Sequence, residues 1–270
     1  MRYNFFLLLF FMIVAFPALG QGKIDGFYQG THQGAIVLGG GFEDSKKYLA
    51  GDNKLDLERS TYYVSLFTAY GITDNLDVNL SVPYISSTTE SNLQDLSLML
   101  KYKLLQFNSE PGIFEVSTAA GFSTPLSDYT IGGLNDIGQQ ATIVETRAMV
   151  HFMSKSSWFA TLQSGFSFKL EEVPNSLPAT LKVGKATSTW YYDVYYDYQH
   201  SFGGIDYRGT PFPQNFREFG VDFHKVGGTL FKPFSSTLGA YVSVSYIFEG
   251  RNTFLGAAYG LGVSYQINSD

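Results

Sequence analysis

Apolar and polar side chains alternate with a period of two along most of this 270-residue sequence. Over residues 96–104 every even position is Leu or Tyr, and the odd positions are Ser, Met or Lys. A β-strand places alternate side chains on opposite faces, whereas a helix would mix the two sets around its circumference. Residues 76–84, 114–122, 238–248 and 255–267 repeat the pattern. The chain is therefore predicted to be all-β.

Turn-forming residues divide the alternating stretches into separate strands. We predict about twelve of them, and counts of ten to fourteen also fit because the stretches around 178–200 and 217–230 are the least regular. The predicted strands lie near residues 33–43, 57–70, 75–86, 94–107, 112–123, 139–153, 157–170, 178–186, 189–200, 217–230, 236–249 and 253–267.

The composition of the two strand faces distinguishes a membrane barrel from a soluble sheet. A soluble β-sandwich would bury large branched side chains on its apolar face. Here the polar face is rich in Gly, Ser and Thr, and 17% of the residues are aromatic, many of them near strand ends. Aromatic girdles at both lipid interfaces are typical of transmembrane barrels. We therefore predict a transmembrane antiparallel β-barrel, with a secreted soluble β-sandwich or lipid-binding protein as the weaker alternative.

The predicted connections alternate in length along the chain. Those after even-numbered strands are short, as at 71–74 and 108–111, whereas residues 43–56, 124–137 and 201–216 form longer polar loops. Bacterial outer-membrane barrels have short periplasmic turns, longer external loops and an even number of strands. This agreement predicts that the protein resides in the outer membrane of a Gram-negative cell.

The N-terminal residues 1–20 have the features of a cleavable secretory signal. Arg2 precedes an apolar run from Phe5 to Phe16, and Ala18 and Gly20 are the small residues before the expected cleavage point. Residues 21–270 then form a single barrel domain. Residues 21–33 are too few to plug the barrel as a folded unit, so we expect no plug domain.

One part of the chain resembles a known family. The motif Gly71-Ile72-Thr73-Asp74-Asn75-Leu76 leads into a strand that ends at Pro83-Tyr84, and Asp95-Leu96-Ser97-Leu98 begins a strand that continues to Lys101-Tyr102. These motifs resemble the outer-membrane barrels of the MetA-pathway of phenol degradation family. The resemblance covers roughly residues 62–128. It implies an outer-membrane protein that passes small, often apolar or aromatic molecules.

If the apolar face meets lipid, the opposite face places charged side chains in the lumen. They either form a selective polar constriction or pair with one another to fill a narrow barrel. We favour paired filling around a narrow passage, and a passive channel for small apolar or aromatic solutes. The alternative is a closed barrel with a structural or surface-interaction role carried by its loops. The predicted lumen-facing residues are Lys101, Lys103, Glu115, Glu145, Arg147, His151, Asp193, Asp197, Asp222 and His224.

Several other functions are not predicted. The formal charge of −6 does not suit a nucleic-acid binder. The four histidines form no His-x-Ser pair on one strand face, and the chain has neither a phosphate-binding loop nor a metal-binding His motif. We therefore expect no catalysis, cofactor or metal. The expected partners are outer-membrane lipid and an unidentified small solute.

Overall fold

The computed structural model describes residues 24–131, 133–213 and 215–268. The predicted signal, residues 1–20, lies outside this part. No helix in the described part of the chain is long and apolar enough to cross a membrane. The described chain forms a short 3-10 helix, Phe216–Glu218, and fourteen strands. The strands are β1 (Gly34–Ala50), β2 (Asn53–Leu55), β3 (Arg59–Thr73), β4 (Leu76–Ser86), β5 (Ser91–Leu93), β6 (Asp95–Asn108), β7 (Gly112–Pro125), β8 (Ile143–Ser154), β9 (Trp158–Lys169), β10 (Ser176–Ala186), β11 (Tyr191–Ser201), β12 (Asp222–Pro233), β13 (Leu238–Arg251) and β14 (Thr253–Ile267).

The twelve long strands form one closed antiparallel barrel, and the three-residue strands β2 and β5 pair with the ends of β1 and β4. Each long strand pairs with the long strands before and after it, and β14 returns to pair with β1 from Gly34↔Ile267 to Leu49↔Thr253. Closure gives both edges of every long strand a hydrogen-bonding partner, which a lipid environment requires. The predicted antiparallel barrel of about twelve strands is confirmed.

The two ends of the barrel have different connections. Five short turns lie at what we call the turn end, and their own side chains support them. The backbone N–H of Asn75 donates to Thr73 Oγ1 at 3.2 Å, and that of Trp158 donates to Ser154 Oγ at 3.0 Å. The opposite loop end carries the long connections 126–142 and 202–221. All the polar loops predicted from sequence belong to the loop end.

All three predicted long loops have different boundaries in the structure, and the loop predicted at 124–137 runs from residue 126 to residue 142. Most of the predicted loop 43–56 is the outer part of β1, because Glu43 to Leu49 remain paired with β14. These charged residues suggested a loop, but a strand that extends beyond the bilayer can expose charges to water while its backbone stays paired. The loop predicted at 201–216 runs to residue 221, because Phe216–Glu218 form a 3-10 turn before β12 begins.

The outer wall of the barrel is apolar. Leu, Val, Tyr and Phe side chains at alternate strand positions are exposed, and the side chains between them point inward. The tyrosine-rich strand β11 follows this rule, since Tyr192 and Tyr196 are exposed while Tyr191 and Tyr195 are buried. A continuous apolar band around the wall matches the lipid-facing surface of a transmembrane barrel.

A basic residue in this band is expected to destabilise the barrel. Leu261, in the middle of β14, is 67% exposed. Leu261→Lys should lower the free energy of unfolding in lipid by about 2–4 kcal/mol, because the ammonium group would face hydrocarbon. Urea unfolding in liposomes measures the change. Phe234→Lys is the matched control, since Phe234 is 70% exposed in a turn and its replacement should have little effect. Equal costs at both positions would contradict the outward orientation of Leu261.

Candidate functional site in the barrel interior

Residues 24–33, which precede β1, form what we call the N-terminal segment. Residues 24–30 are buried or half-buried inside the barrel, and residues 31–33 are exposed at its turn end. The segment enters at the turn end, where the backbone N–H of His32 donates to the Gly71 carbonyl at 2.8 Å. It continues inward to Ile24, which is 2% exposed and whose carbonyl accepts from Gln163 Nε2 at 3.2 Å. The sequence predicted no folded plug domain, and it gave no indication that an extended chain would occupy this part of the lumen.

Lys101 holds the N-terminal segment by direct contacts. Its side chain is 1% exposed, and its Nζ donates to the carbonyl oxygens of Asp25, at 3.2 Å, and Phe27. The same ammonium lies 3.3 Å from Asp77 Oδ2 and 3.9 Å from Asp25 Oδ1. Asp77 also accepts from the backbone N–H of Gln29 at 3.2 Å. Lys101 and Asp77 therefore anchor the segment to β6 and β4.

Aromatic packing holds the same segment on its other side. The Phe27 ring centroid lies 4.8 Å from that of His151 and 5.0 Å from that of Phe159, both in edge-on arrangements. His151 is fixed in turn by a 2.7 Å contact between its Nδ1 and Thr161 Oγ1. Gly26 lies against the His151 ring, so that a β-carbon at this position would overlap the imidazole. The segment therefore passes His151 only because residue 26 lacks a side chain.

The remaining interior charges of the predicted set occur in close pairs. Lys103 Nζ lies 2.8 Å from Glu115 Oε1, and Arg147 Nε lies 2.8 Å from Glu145 Oε1. Asp197 Oδ2 lies 3.0 Å from Lys225 Nζ. Asp193 lies 3.8 Å from Lys182 and accepts from the Tyr191 hydroxyl at 2.7 Å. The structure thus places eight of the ten predicted residues in the interior: Lys101, Lys103, Glu115, Glu145, Arg147, His151, Asp193 and Asp197.

The interior assignments of Asp222 and His224 were wrong. Both lie at even positions of β12 with the exposed residues Val226 and Leu230, and no bulge interrupts the pairing with β11. His224 contacts the hydroxyl of Tyr196, an outward-facing residue, at 2.6 Å. Asp222 lies 3.3 Å from His200 at the loop end. Polar side chains are tolerated on the outward face there because the wall meets water near its rim.

A cavity of about 600 Å³, which we call the outer chamber, occupies the part of the barrel between the N-terminal segment and the loop end. Its wall contains five serines and three aromatic residues together with the charged side chains of Glu43, Asp95, Asp197 and Lys225, of which Asp197 and Lys225 form an ion pair. This wall can contact both the ring and the polar group of a small aromatic molecule. The residues that define the chamber here are Tyr63, Phe67, Ser97, Ser123, Tyr241 and Ser245.

Two loops cover part of the loop end and are bonded to each other. Arg217, in loop 202–221, donates through Nη2 to the Gln140 carbonyl at 3.1 Å and through Nε to the Gln139 carbonyl at 3.3 Å. The backbone N–H of Phe216 donates to the Ile131 carbonyl at 2.9 Å. These bonds hold loop 126–142 against loop 202–221.

Loop 126–142 contains a carboxyl group with a shifted pKa. Burial, with a smaller contribution from the negative charge of Glu90, raises the pKa of Asp136 to about 6. A raised pKa favours the protonated form in the folded loop, so the loop should be more stable near pH 4 than above pH 6. Hydrogen exchange of residues 126–142, corrected for the intrinsic exchange rate, should therefore show stronger protection at pH 5 than at pH 7.

Asp136→Asn is the matched control for this pH dependence. Its amide oxygen can still accept from the backbone N–H of Gly133, which lies 3.0 Å from a carboxylate oxygen of Asp136. The variant should show the same corrected protection at both pH values because the amide does not titrate. A variant that keeps the full pH dependence would assign it to another group.

Several residues that organise the interior were not among those predicted from the sequence. Asp25 lies in a short stretch without periodicity, so no pattern indicated its burial. Asp77 lies on the polar face of an alternating stretch, and in the structure it stands directly opposite Lys101 in the ladder between β4 and β6. Pairing the predicted strands in register would have brought these two charges together. Lys182 is likewise buried, and it lies in a stretch whose alternation is among the least regular.

Comparisons with known proteins agree with this architecture. A model of the MetA-pathway of phenol degradation family matches residues 27–262. The solved structure of the COG4313 outer membrane channel from Pseudomonas putida F1 is similar with a TM-score of 0.73 and 12% identity, covering 93% of this chain and all of that one. The NanC porin structure is similar with a TM-score of 0.57 and 12% identity, covering 86% of this chain and all of that one. A comparison with curated proteins finds no match.

Proposed function

Because the chain belongs to the MetA-pathway of phenol degradation family and has the fold of outer-membrane barrels, we propose that it is a passive channel for small apolar or aromatic solutes. The main support for this proposal is the outer chamber. Its volume of about 600 Å³ exceeds that of a single aromatic ring, and its wall combines tyrosine and phenylalanine rings with serine hydroxyls. Such a lining suits an uncharged aromatic molecule with a polar substituent.

The similar solved structures supply the second argument. One is described as an outer membrane channel and the other as a porin. At 12% identity these proteins share the fold with this chain, and we extend their channel role to it as part of the proposal. The solute class rests on the lining of the outer chamber and on the family description. With it we propose residence in the Gram-negative outer membrane, with the loop end facing outward.

The N-terminal segment supports a second candidate, a closed barrel that acts through its loops. Lys101, Asp77 and His151 hold this segment in the interior between the turn end and the outer chamber. A channel in this conformation would conduct weakly unless the segment moves. The contacts are side-chain and backbone interactions of one short stretch. The segment could therefore leave the interior by breaking these contacts, without any rearrangement of the barrel wall.

Export by a cleaved signal is part of the same proposal. Ile24 is buried inside the barrel, so cleavage after Gly20 leaves only residues 21–23 ahead of the segment. A non-enzymatic role is also proposed. In the described part of the chain, the side chains that pair with the four histidines are those of Tyr70, Thr161, Asp222 and Tyr196, and none is a serine. Thr161 does place a hydroxyl beside His151, but His151 is 3% exposed and packs against Phe27 of the N-terminal segment, so this pair is not accessible to a substrate in this conformation.

Planar-bilayer recording tests the channel against the closed barrel. The full mature chain should give discrete conductance steps, and benzyl alcohol added on the loop side should interrupt the ion current as it enters the outer chamber. Sucrose, which lacks a ring, is the comparison solute and should block less at the same concentration. If neither the full chain nor a variant without the N-terminal segment gives any steps, the channel is refuted and the closed barrel is favoured.

A further inference from the structure

Two small chambers lie beneath the loops, between the outer chamber and the outside. The first, about 230 Å³, is lined by Glu43, Arg59, Thr61 and Tyr63 among others. The second, about 210 Å³, shares Arg59 with the first and extends to Tyr48 and to the rings of three phenylalanines. Tyr63 also lines the outer chamber, so the three cavities adjoin one another. A solute that enters past the loops would meet the second chamber before the outer chamber.

Three polar atoms at these small chambers have no hydrogen-bonding partner among the described residues. They are the Tyr48 hydroxyl, Arg59 Nε and Thr61 Oγ1. Tyr48 is 2% exposed and belongs to the wall of the second chamber. All three groups can donate a hydrogen bond, and buried donors in folded proteins nearly always have an acceptor. A bound molecule with an acceptor oxygen would supply the partner that these donors lack.

The charges at the site favour a neutral molecule. The Arg59 guanidinium is already paired with Glu43 at 3.1 Å, and Asp136 adds a second carboxyl group to the lining of both small chambers. An anion would therefore add negative charge beside two carboxyl groups. A cation would have to compete with Arg59 for Glu43. A neutral acceptor oxygen can bond to Tyr48 and to Arg59 Nε without disturbing the existing pair.

The apolar walls define the rest of the ligand. Phe254 packs beneath Arg59 with the guanidinium 4.3 Å from the ring centroid, and the rings of Phe216 and Phe219 lie 4.4 Å apart. These three rings and Leu134 line the second chamber. An apolar cavity of about 150 Å³ is known to hold a benzene ring. A cavity of about 210 Å³ therefore has room for one substituted aromatic ring.

From these observations we propose that the second small chamber is an entry site that binds a neutral, single-ring aromatic molecule through one acceptor oxygen. Tyr48 and Arg59 donate to the oxygen, and the phenylalanine rings contact the aromatic ring. The site deepens the proposed function and rests on it for the class of solute. Binding itself requires only that the loop end is accessible, so it can be measured separately from transport.

Equilibrium binding to the full mature chain in lipid nanodiscs tests the site. The probe is phenol, observed by saturation-transfer NMR and titrated to a Kd, with empty nanodiscs subtracted. Benzoate and toluene are the comparison ligands, since the first is anionic and the second lacks an acceptor oxygen. We expect phenol to bind at least about fivefold more tightly than either, the ratio that one net hydrogen bond produces. Equal affinity for benzoate or toluene would overturn the proposed ligand class.

The variant Tyr48→Phe distinguishes a ligand-binding role of the Tyr48 hydroxyl from a packing role of the Tyr48 ring. The variant keeps the ring that packs against Phe254 and Tyr207 but removes the hydroxyl. It should weaken phenol binding about fivefold, since one hydrogen bond is lost. Tyr207→Phe removes a neighbouring hydroxyl that is not part of the chamber wall, and it should leave the Kd unchanged. If Tyr48→Phe also leaves the phenol Kd unchanged, Tyr48 has only a structural role and the proposed site is overturned.

Flux measurements on the same proteins distinguish this inference from the channel itself. Tyr48-dependent phenol binding without any conductance would support the entry site and contradict the channel. Conductance that benzyl alcohol blocks equally in wild type and Tyr48→Phe, together with an unchanged phenol Kd, would support the channel and contradict the entry site.

Discussion

A chain that lacks residues 24–31 is expected to conduct ions at least about fivefold better than the full mature chain, since twelve strands enclose more space than side chains alone need to fill. The N-terminal segment occupies the interior between the turn end and the outer chamber. Its removal would join the outer chamber to the turn end. Single-channel recording of both proteins under identical salt conditions gives the ratio. An unchanged conductance in a folded, heat-modifiable deletion variant would show that the segment does not limit the pore.

Gly26→Ala provides a subtler form of the same experiment. The added methyl group would overlap the His151 ring, so the segment must shift away from its position. We expect conductance between those of the full chain and the deletion variant. The double variant Gly26→Ala/His151→Ala restores the space, and it should return the conductance toward that of His151→Ala alone. If the second substitution has no such effect, the contact between Gly26 and His151 does not position the segment.

Lys101→Met is expected to lower the free energy of unfolding by about 3–5 kcal/mol, the usual cost of removing one partner from a buried ion pair. Lys101 is 1% exposed, and its ammonium group contacts the carboxylates of Asp77 and Asp25 and donates to the Phe27 carbonyl. Methionine nearly preserves the shape of the side chain, so the loss would come from the uncompensated carboxylates. Urea unfolding in detergent micelles, followed by tryptophan fluorescence, measures it.

Lys103→Met is the matched control, because Lys103 is two residues away and pairs with the more accessible Glu115. The side chains of Lys103 and Glu115 are 14% and 15% exposed, against 1% for Lys101 and Asp77, so water screens this pair more and Lys103→Met should cost less stability than Lys101→Met. The double variant Lys101→Met/Asp77→Leu should recover part of the lost stability, since it removes one of the stranded charges. Similar costs for Lys101→Met and Lys103→Met would mean that the charges around Lys101 are not desolvated as the structure indicates.

The period of two in the sequence was enough to predict the barrel wall. Each of the twelve predicted strands has a counterpart in the structure, and the stretch 255–267 lies wholly within β14. Every strand of a membrane barrel must present apolar side chains to lipid at alternate positions, so the pattern is visible within the sequence of each single strand. Strand ends were less certain, as β1 shows, because beyond the bilayer a strand is free to carry charges on either face.

The contents of the interior could not be predicted in the same way. The N-terminal segment is extended and has no period of its own, and it is held by Asp77, Lys101, His151 and Gln163 from four different strands. Such a site depends on contacts between residues far apart in the chain. His224 was wrongly predicted to face the lumen because it is polar. Its even position in β12 places it on the outer wall beside Tyr196.

The course of the N-terminal segment restricts how this protein can be labelled. Its chain enters at the turn end and runs inward to Ile24, enclosed by the wall, whereas β14 finishes at Ile267 on the barrel rim. A fluorescent protein or affinity tag joined ahead of the segment would have to fit within the enclosure or pull the segment out. Attachments after residue 270 avoid that conflict, so C-terminal fusions are the appropriate reagents for studying the native conformation.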